Sequence, residues 1–356
     1  MKAAVLKSFG SPLVVEDVPE PTLGTGEVLV DVAAAKVLAY AADVFSGKRQ
    51  YLLTPPLIPG SGGVGRVAAV GLDAAELELG DWVICDPTVR ARDNAISPAT
   101  MLQGLTAGDP RGLGLQKYLP DGTWAQRVRV PTENAIPIGP IQVSEAKVWA
   151  TIGSYLVPFG GFDAAQLKAG EIVVLNGATG AFGSAGVAVA LALGAASVIA
   201  TGRNRERLEG LAQSFGSRVR SVAMTGDEEV DRARILAIAP GPIDCVLDLL
   251  PPAASAAQVR SALLTVRPFG RVVLMGGVRQ DLSLPYAWLM RNCITLRGQF
   301  MYARASVGRL LALVRAGVLE LDASKIVSFG LEQVNEAVTH AAEHAAPFEA
   351  TVLVPS

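Results

Sequence analysis

The chain of 356 residues has only three cysteines and two histidines. Cys85, Cys245 and Cys293 lie far apart, each within an apolar run, which argues against a disulfide framework and for a reducing compartment. Charge of one sign is also lacking. Lys and Arg number 31 against 33 Asp and Glu, leaving a formal charge of −2 and a pI near 5.8. No basic surface for nucleic acid follows from that balance. Charged residues are 18% and hydrophobic residues 50%, which excludes a largely disordered chain. The opening MKAAVLKSFG has no long apolar stretch and no cleavage-site pattern, so a cytoplasmic protein is expected.

One run imitates a membrane span. Residues 172–202 carry no charge at all, a length that could cross a bilayer. Glycines at 177, 180, 183, 186, 194 and 202 punctuate it, however, and a buried strand–helix–strand unit explains that spacing better. No membrane partner is expected.

The length allows about two domains. The first 140 residues read as β-rich, with EVLVDVAAA, GRVAAVG, DWVICD and AQRVRVP separated by Gly, Pro and Asp clusters. Residues 86–121 have weak periodicity, and so long a connection suggests a functional loop or an inserted lobe. After about residue 145, strands alternate with helix-length segments: EIVVLNG, 181–193, SVIATG, 205–215, IDCVLDLL, 254–264, GRVVLMGG and ITLRGQF. Such alternation predicts a parallel sheet with helices on both faces. Two more helices, SVGRLLALVRAG and 333–344, and a closing strand, FEATVLVP, complete the chain.

EIVVLN runs directly into GATGAFGSAG. Gly180 and Gly183 hold the second and third positions of a G-x-G-x-x-G phosphate turn, with Ala178 in the first. Glycine lets backbone approach a pyrophosphate, and the following helix start supplies unpaired N–H groups. Thr179, Ala181 and Phe182 complete the expected cradle. The next strand ends at Gly202, where an acid would select NAD, and Arg203 follows. A guanidinium suits a 2′-phosphate, so NADP(H) is the expected cofactor. Gly202, Arg203 and Asn204 would bind it, with Thr201 and Asn204 as donors, whereas Arg205 and Arg207 read equally well as a solvated helix start.

KAAVLKSFGSPLVVEDVPEPTLGTGEVLVDV, PGSGGVGRVAAVG, GDWVICD, DGTWAQRVRVPTENAIPI, VVLNGATGAFGSAG, RPFGRVVLMGG and FGLEQVNEAVTHA together resemble the medium-chain dehydrogenase/reductase superfamily over essentially the whole chain. The resemblance implies an α/β protein: a Rossmann doubly wound parallel sheet over residues 149–303, and a chaperonin-10-like β-barrel catalytic domain from residues 1–148 and 304–356. It also implies a small-molecule substrate and a homodimer or homotetramer. Many members hold a catalytic zinc. Here Leu38 stands in place of the ligand Cys, Gly60–Ser61–Gly62 replaces the turn with the ligand His, and Ile152 and Gly153 occupy the third region. None is a zinc-ligand type, and 86–121 lacks the four cysteines of the structural-zinc lobe, so a zinc-independent member similar to quinone and enoyl reductases is expected. His340 and His344, at i and i+4, could chelate a metal but read as a solvated helix face.

Without zinc, hydrogen-bond donors must polarise the substrate. Tyr40 falls near the family's hydroxyl relay, Tyr51 in the loop before PGSG, and Ser61 at the lost His; Lys36 and Arg49 are neighbours in sequence. Each hydroxyl could donate to an oxyanion or relay a proton. Three functions stay open: an NADPH-dependent reductase of quinones or α,β-unsaturated carbonyls, a zinc-free alcohol dehydrogenase or ketone reductase, and a weakly catalytic NADPH-binding sensor.

Overall fold

A computed structural model describes residues 1–321 and 325–355. The chain divides into two compact units, residues 1–152 with 321–345 and 349–356, and residues 153–320 with 346–348. The sequence reading placed the return at residue 304. The helix Arg304–Arg315 instead belongs to the second unit, because Ser306 Oγ donates to Asp163 at 2.9 Å and Arg309 pairs with the same carboxylate.

In the first unit the long strand Glu27–Val37 is the organiser. Most of its residues are buried, on both faces, and it pairs with Gly63–Val70, Arg127–Pro131 and the closing strand Glu349–Val354. Trp82–Cys85, Ala135–Pro137 and Lys325–Gly330 complete a seven-stranded sheet. Residues 86–121 form a small lobe: three short antiparallel strands, Thr88–Arg90, Thr100–Leu102 and Thr106–Ala107, and a helix, Gly112–Tyr118. Val89, Met101 and Leu119 form its core.

The second unit is a six-stranded parallel sheet. Counted along the unit, the strands are Ile172–Asn176, Ser197–Gly202, Val219–Ala223, Ile243–Asp248, Val266–Leu274 and Thr295–Gly298, and their spatial order is 3-2-1-4-5-6. That order reverses between the first and fourth strands, the switch point where such sheets bind ligands. Val174, Ile199, Val246 and Val272 join Ile235, Ala262 and Leu263 in the core on one face. The uncharged run is a strand, the helix Ala181–Ala192 and a strand. Among the described residues no helix is long and apolar enough to cross a membrane.

Candidate active site

The first strand of the parallel sheet ends at Asn176, and Gly177 turns the chain with φ +93°. Gly180 then opens the helix Ala181–Ala192 in an extended conformation, φ −92°. The two glycines of the turn do different work. A Cβ on Gly183 would lie 2.1 Å from the Gly177 carbonyl oxygen, so this glycine lets helix and strand touch. A Cβ on Gly180 would meet nothing within 4 Å, and the residue is exposed. The open space over Gly180, beside the unpaired N–H groups of the helix start, fits a pyrophosphate.

Ala178 is fully buried, and its N–H donates to the Thr201 carbonyl at 2.8 Å. It supports the turn and has no N–H left for a ligand. Thr179, Ala181 and Phe182 are half-buried along the rim. Gly202 is required by Thr179, whose Cγ2 would lie 2.8 Å from an added Cβ. Thr201 corrects the sequence reading: it is buried, and its hydroxyl donates to Asn176 Oδ1 at 2.7 Å. Asn204 is also partly committed, since its Oδ1 accepts from the Arg207 N–H at 2.9 Å and caps the helix Arg205–Phe215. Arg203 is exposed and, among the described residues, forms no ion pair. No carboxylate ends this strand.

Beneath the turn lies a polar chain that sequence reasoning missed. Thr201 donates to Asn176, and Asn176 Nδ2 donates to Asp248 Oδ1 at 2.8 Å, at the end of the fourth strand. Asp248 is 3% exposed. Burial pushes its carboxyl up to about 7, opposed by hydrogen bonds from Asn176 and the Leu250 backbone. A Cβ on Gly276 would come within 2.5 Å of Asp248 Oδ2, so the fifth strand's loop closes on this carboxyl only through a glycine.

In the first unit the structure brings Tyr40 and Tyr51 together. Their ring centroids are 6.2 Å apart with planes at 80°. Arg49 sits against both faces, its Cζ 4.0 Å from the Tyr40 centroid and 4.9 Å from that of Tyr51. The short helix Ala41–Phe45 and a tight return, in which the Arg49 N–H donates to the Asp43 carbonyl at 2.8 Å and the Tyr51 N–H to the Arg49 carbonyl at 2.7 Å, create this convergence. The Tyr40 hydroxyl is held well above its ordinary range, chiefly by burial and then by the Tyr51 hydroxyl, with Arg49 opposing. Tyr40 therefore stays a protonated donor. The lobe at 86–121 braces the loop after Tyr51: Thr106 Oγ1 accepts from the Leu52 N–H at 3.1 Å and Gln116 Oε1 from the Thr54 N–H at 3.0 Å.

Ser61 is half-buried between Gly60, φ +115°, and Gly62, φ +83°. An added Cβ on Gly60 would stand 2.6 Å from the backbone nitrogens of Thr123 and Trp124, so that turn is packed backbone on backbone. Among the described residues no hydrogen bond joins Ser61 to either tyrosine. Lys36, half-buried on the long strand, has its ammonium pulled down to about 8 by burial.

The Alcohol dehydrogenase GroES-like domain family matches residues 24–140, and the Zinc-binding dehydrogenase family matches residues 181–316. The chain belongs to the medium-chain dehydrogenase/reductase superfamily. It is 27% identical to an alcohol dehydrogenase of Moraxella sp. (strain TAE123) over 336 residues, 94% of each chain. It is 26% identical to an L-threonine 3-dehydrogenase of Streptomyces coelicolor over 332 residues, 90% of each. The fold matches an alcohol dehydrogenase from Thermus sp. ATN1, with TM-score 0.81, 24% identity and 99% of both chains covered. It also matches a protein of Sinorhizobium meliloti 1021 described as a zinc-binding dehydrogenase and bound to NADP, with TM-score 0.79, 22% identity and 99% of both chains covered.

The second family's description implies zinc, and the residues here do not fit a catalytic zinc. Leu38, Ser61, Ile152 and Gly153 offer no thiolate, imidazole or carboxylate. Among the described residues no three His, Cys, Asp or Glu side chains converge to hold a metal. The Cys85 and Cys245 thiols are buried and pushed up to about 12, chiefly by burial, which disfavours the thiolate a metal needs. Cys293 is exposed despite its apolar sequence context. The histidine pair is not a fully solvated face: His340 Nδ1 lies 2.9 Å from Thr351 Oγ1, and the two rings stack at 4.1 Å.

Proposed function

We propose that this superfamily member is an NADPH-dependent, zinc-independent reductase of quinones or α,β-unsaturated carbonyls. The observation that carries the reading is the Tyr40–Arg49–Tyr51 cluster: two hydroxyls and a guanidinium brought together just after Leu38, which stands in place of the family's zinc-ligand Cys. When bound, the reduced nicotinamide supplies a hydride. The Gly180 cradle would hold its pyrophosphate, and Arg203 would meet a 2′-phosphate. Hydride addition to the β-carbon of an enone moves an electron pair onto the carbonyl oxygen. Conjugation spreads that charge, so hydroxyl donors can replace a Lewis acid. Tyr40 or Tyr51 donates to the developing oxyanion, and the proton that completes the product comes from a hydroxyl or from water.

Reduction of an isolated ketone by the same groups is the second reading, favoured by similarity to alcohol and L-threonine 3-dehydrogenases. The test follows NADPH absorbance with a simple quinone, a cyclic enone and a saturated ketone under a metal chelator. Loss of signal with the quinone or enone alone supports the first reading, and turnover of the ketone replaces it with the second. Tight NADPH binding without turnover of any of the three would refute both. Residues 295–298 are an exposed edge strand of the parallel sheet, with Leu296 38% exposed. Such an edge is a template for pairing, and we assign it to a homodimer that sedimentation will detect.

A further inference from the structure

The Tyr40–Tyr51 cluster contains more positive charge than a neutral carbonyl requires. Arg49 is half-buried, and among the described residues no carboxylate pairs with it and no side-chain hydrogen bond engages it. Its charge rests in the corner between two rings set at 80° to each other. An aromatic face attracts a guanidinium but cannot satisfy its five N–H donors. Beside it stand the Tyr40 and Tyr51 hydroxyls, which interact with each other and can donate outward. The cluster is thus a convergence of donors, one of them permanently cationic, without an anionic acceptor.

We propose that Arg49 is a specificity-determining residue that selects substrates carrying a carboxylate conjugated to the reducible bond. This rests on the reductase reading above and names the substrate class of that site. A planar guanidinium matches two carboxylate oxygens as a fork, which a lysine ammonium cannot do. The rings hold the fork in place and so reduce the ordering cost of binding. The neighbouring hydroxyls remain for the carbonyl oxygen at the other end of the conjugated system.

The test uses a matched pair of probes, trans-4-oxo-2-pentenoate and 3-penten-2-one, in which carboxylate replaces methyl. Binding of each to the whole protein is measured by calorimetry with NADP+ present, so that no turnover intervenes, and NADPH oxidation is followed separately. The wild type is expected to bind the carboxylated enone at least tenfold more tightly, and Arg49→Met to shrink that ratio to within about twofold. Equal binding of the two probes by the wild type, or an undiminished ratio in Arg49→Met, overturns the proposal. Should Arg49→Met fail to fold, Arg49→Lys serves: the ratio is expected to fall at least threefold, and an unchanged ratio overturns the proposal. If neither enone is reduced while the binding ratio and its loss persist, the reductase reading falls and this assignment stands.

Discussion

Alanine substitution at Gly180 and Gly183, the two glycines of the turn after Asn176, should separate folding from the proposed cofactor binding. At Gly183 the new Cβ would stand 2.1 Å from the Gly177 oxygen and 2.7 Å from the Ala178 Cα. Both are backbone atoms, so no flexible side chain can yield. The helix and the turn must part by about 1 Å, and overpacking of that kind costs about 1–3 kcal/mol. At about 2–4 °C per kcal/mol for a unit of this size, Tm should fall by about 2–12 °C in the absence of cofactor. At Gly180 the new methyl meets nothing within 4 Å, and φ −92° suits alanine. Loss of a glycine N-cap costs under about 1 kcal/mol, so Tm should fall by at most about 4 °C. The methyl fills the space a pyrophosphate would take, and NADPH affinity, read by nicotinamide fluorescence titration, should fall at least tenfold. A Gly180→Ala variant that binds NADPH as tightly as the wild type would refute the cradle. An unshifted Tm in Gly183→Ala would refute the packing argument.

Asp248 gives a signed pH dependence. Its folded carboxyl is raised to about 7 from an ordinary value near 3.9, so the folded state holds a proton that the unfolded state has released. Its contribution to stability is fully present below about pH 4 and is lost as pH rises through about 7, by up to about 4 kcal/mol. Asp248→Asn should flatten the fall between pH 4 and 7.5 in urea unfolding, and an unchanged slope would exonerate Asp248. Arg203→Glu places a carboxylate where a 2′-phosphate would bind; the NADPH/NADH ratio of kcat/KM should drop at least tenfold, and an unaltered ratio would move phosphate selection elsewhere. If Tyr40 or Tyr51 is the donor, its Phe variant should lower kcat by about 100-fold with the preferred acceptor. Less than a fivefold loss in both variants would transfer that role to another group.

Much of the fold was legible from local pattern. The helix Arg205–Phe215 was readable to the residue, because Asn204 caps one end and Gly216, φ +68°, ends the other. The helix Glu228–Ile238 has a weaker local signal, chiefly Asp227, whose carboxylate accepts from the Val230 N–H at 2.9 Å. An inserted lobe is one of the two readings that residues 86–121 allow, but its elements are not legible, because strands of two or three residues are too short to display a period. The helix Arg304–Arg315 was legible as a helix but not as a member of the second unit, since its ties to Asp163 span more than 140 residues of sequence.

Residue type and short spacing were enough to read the glycine turn after Asn176, the lack of zinc-ligand types at Leu38 and Ser61, and Arg203 just past the end of the second strand. These are properties of residue type and short spacing, which local backbone physics reads directly. Which polar groups are spent and which remain available depends on packing between distant segments. Thr201 is consumed beneath the turn, Ala178 uses its N–H inward, and Asn204 caps a helix. Asp248 is made titratable near neutrality by burial at a strand end. Tyr40, Arg49 and Tyr51 become one cluster because a tight return folds Arg49 against two rings. Hydrogen-bond partners and dielectric surroundings arise only when distant segments pack, and composition carries no record of either.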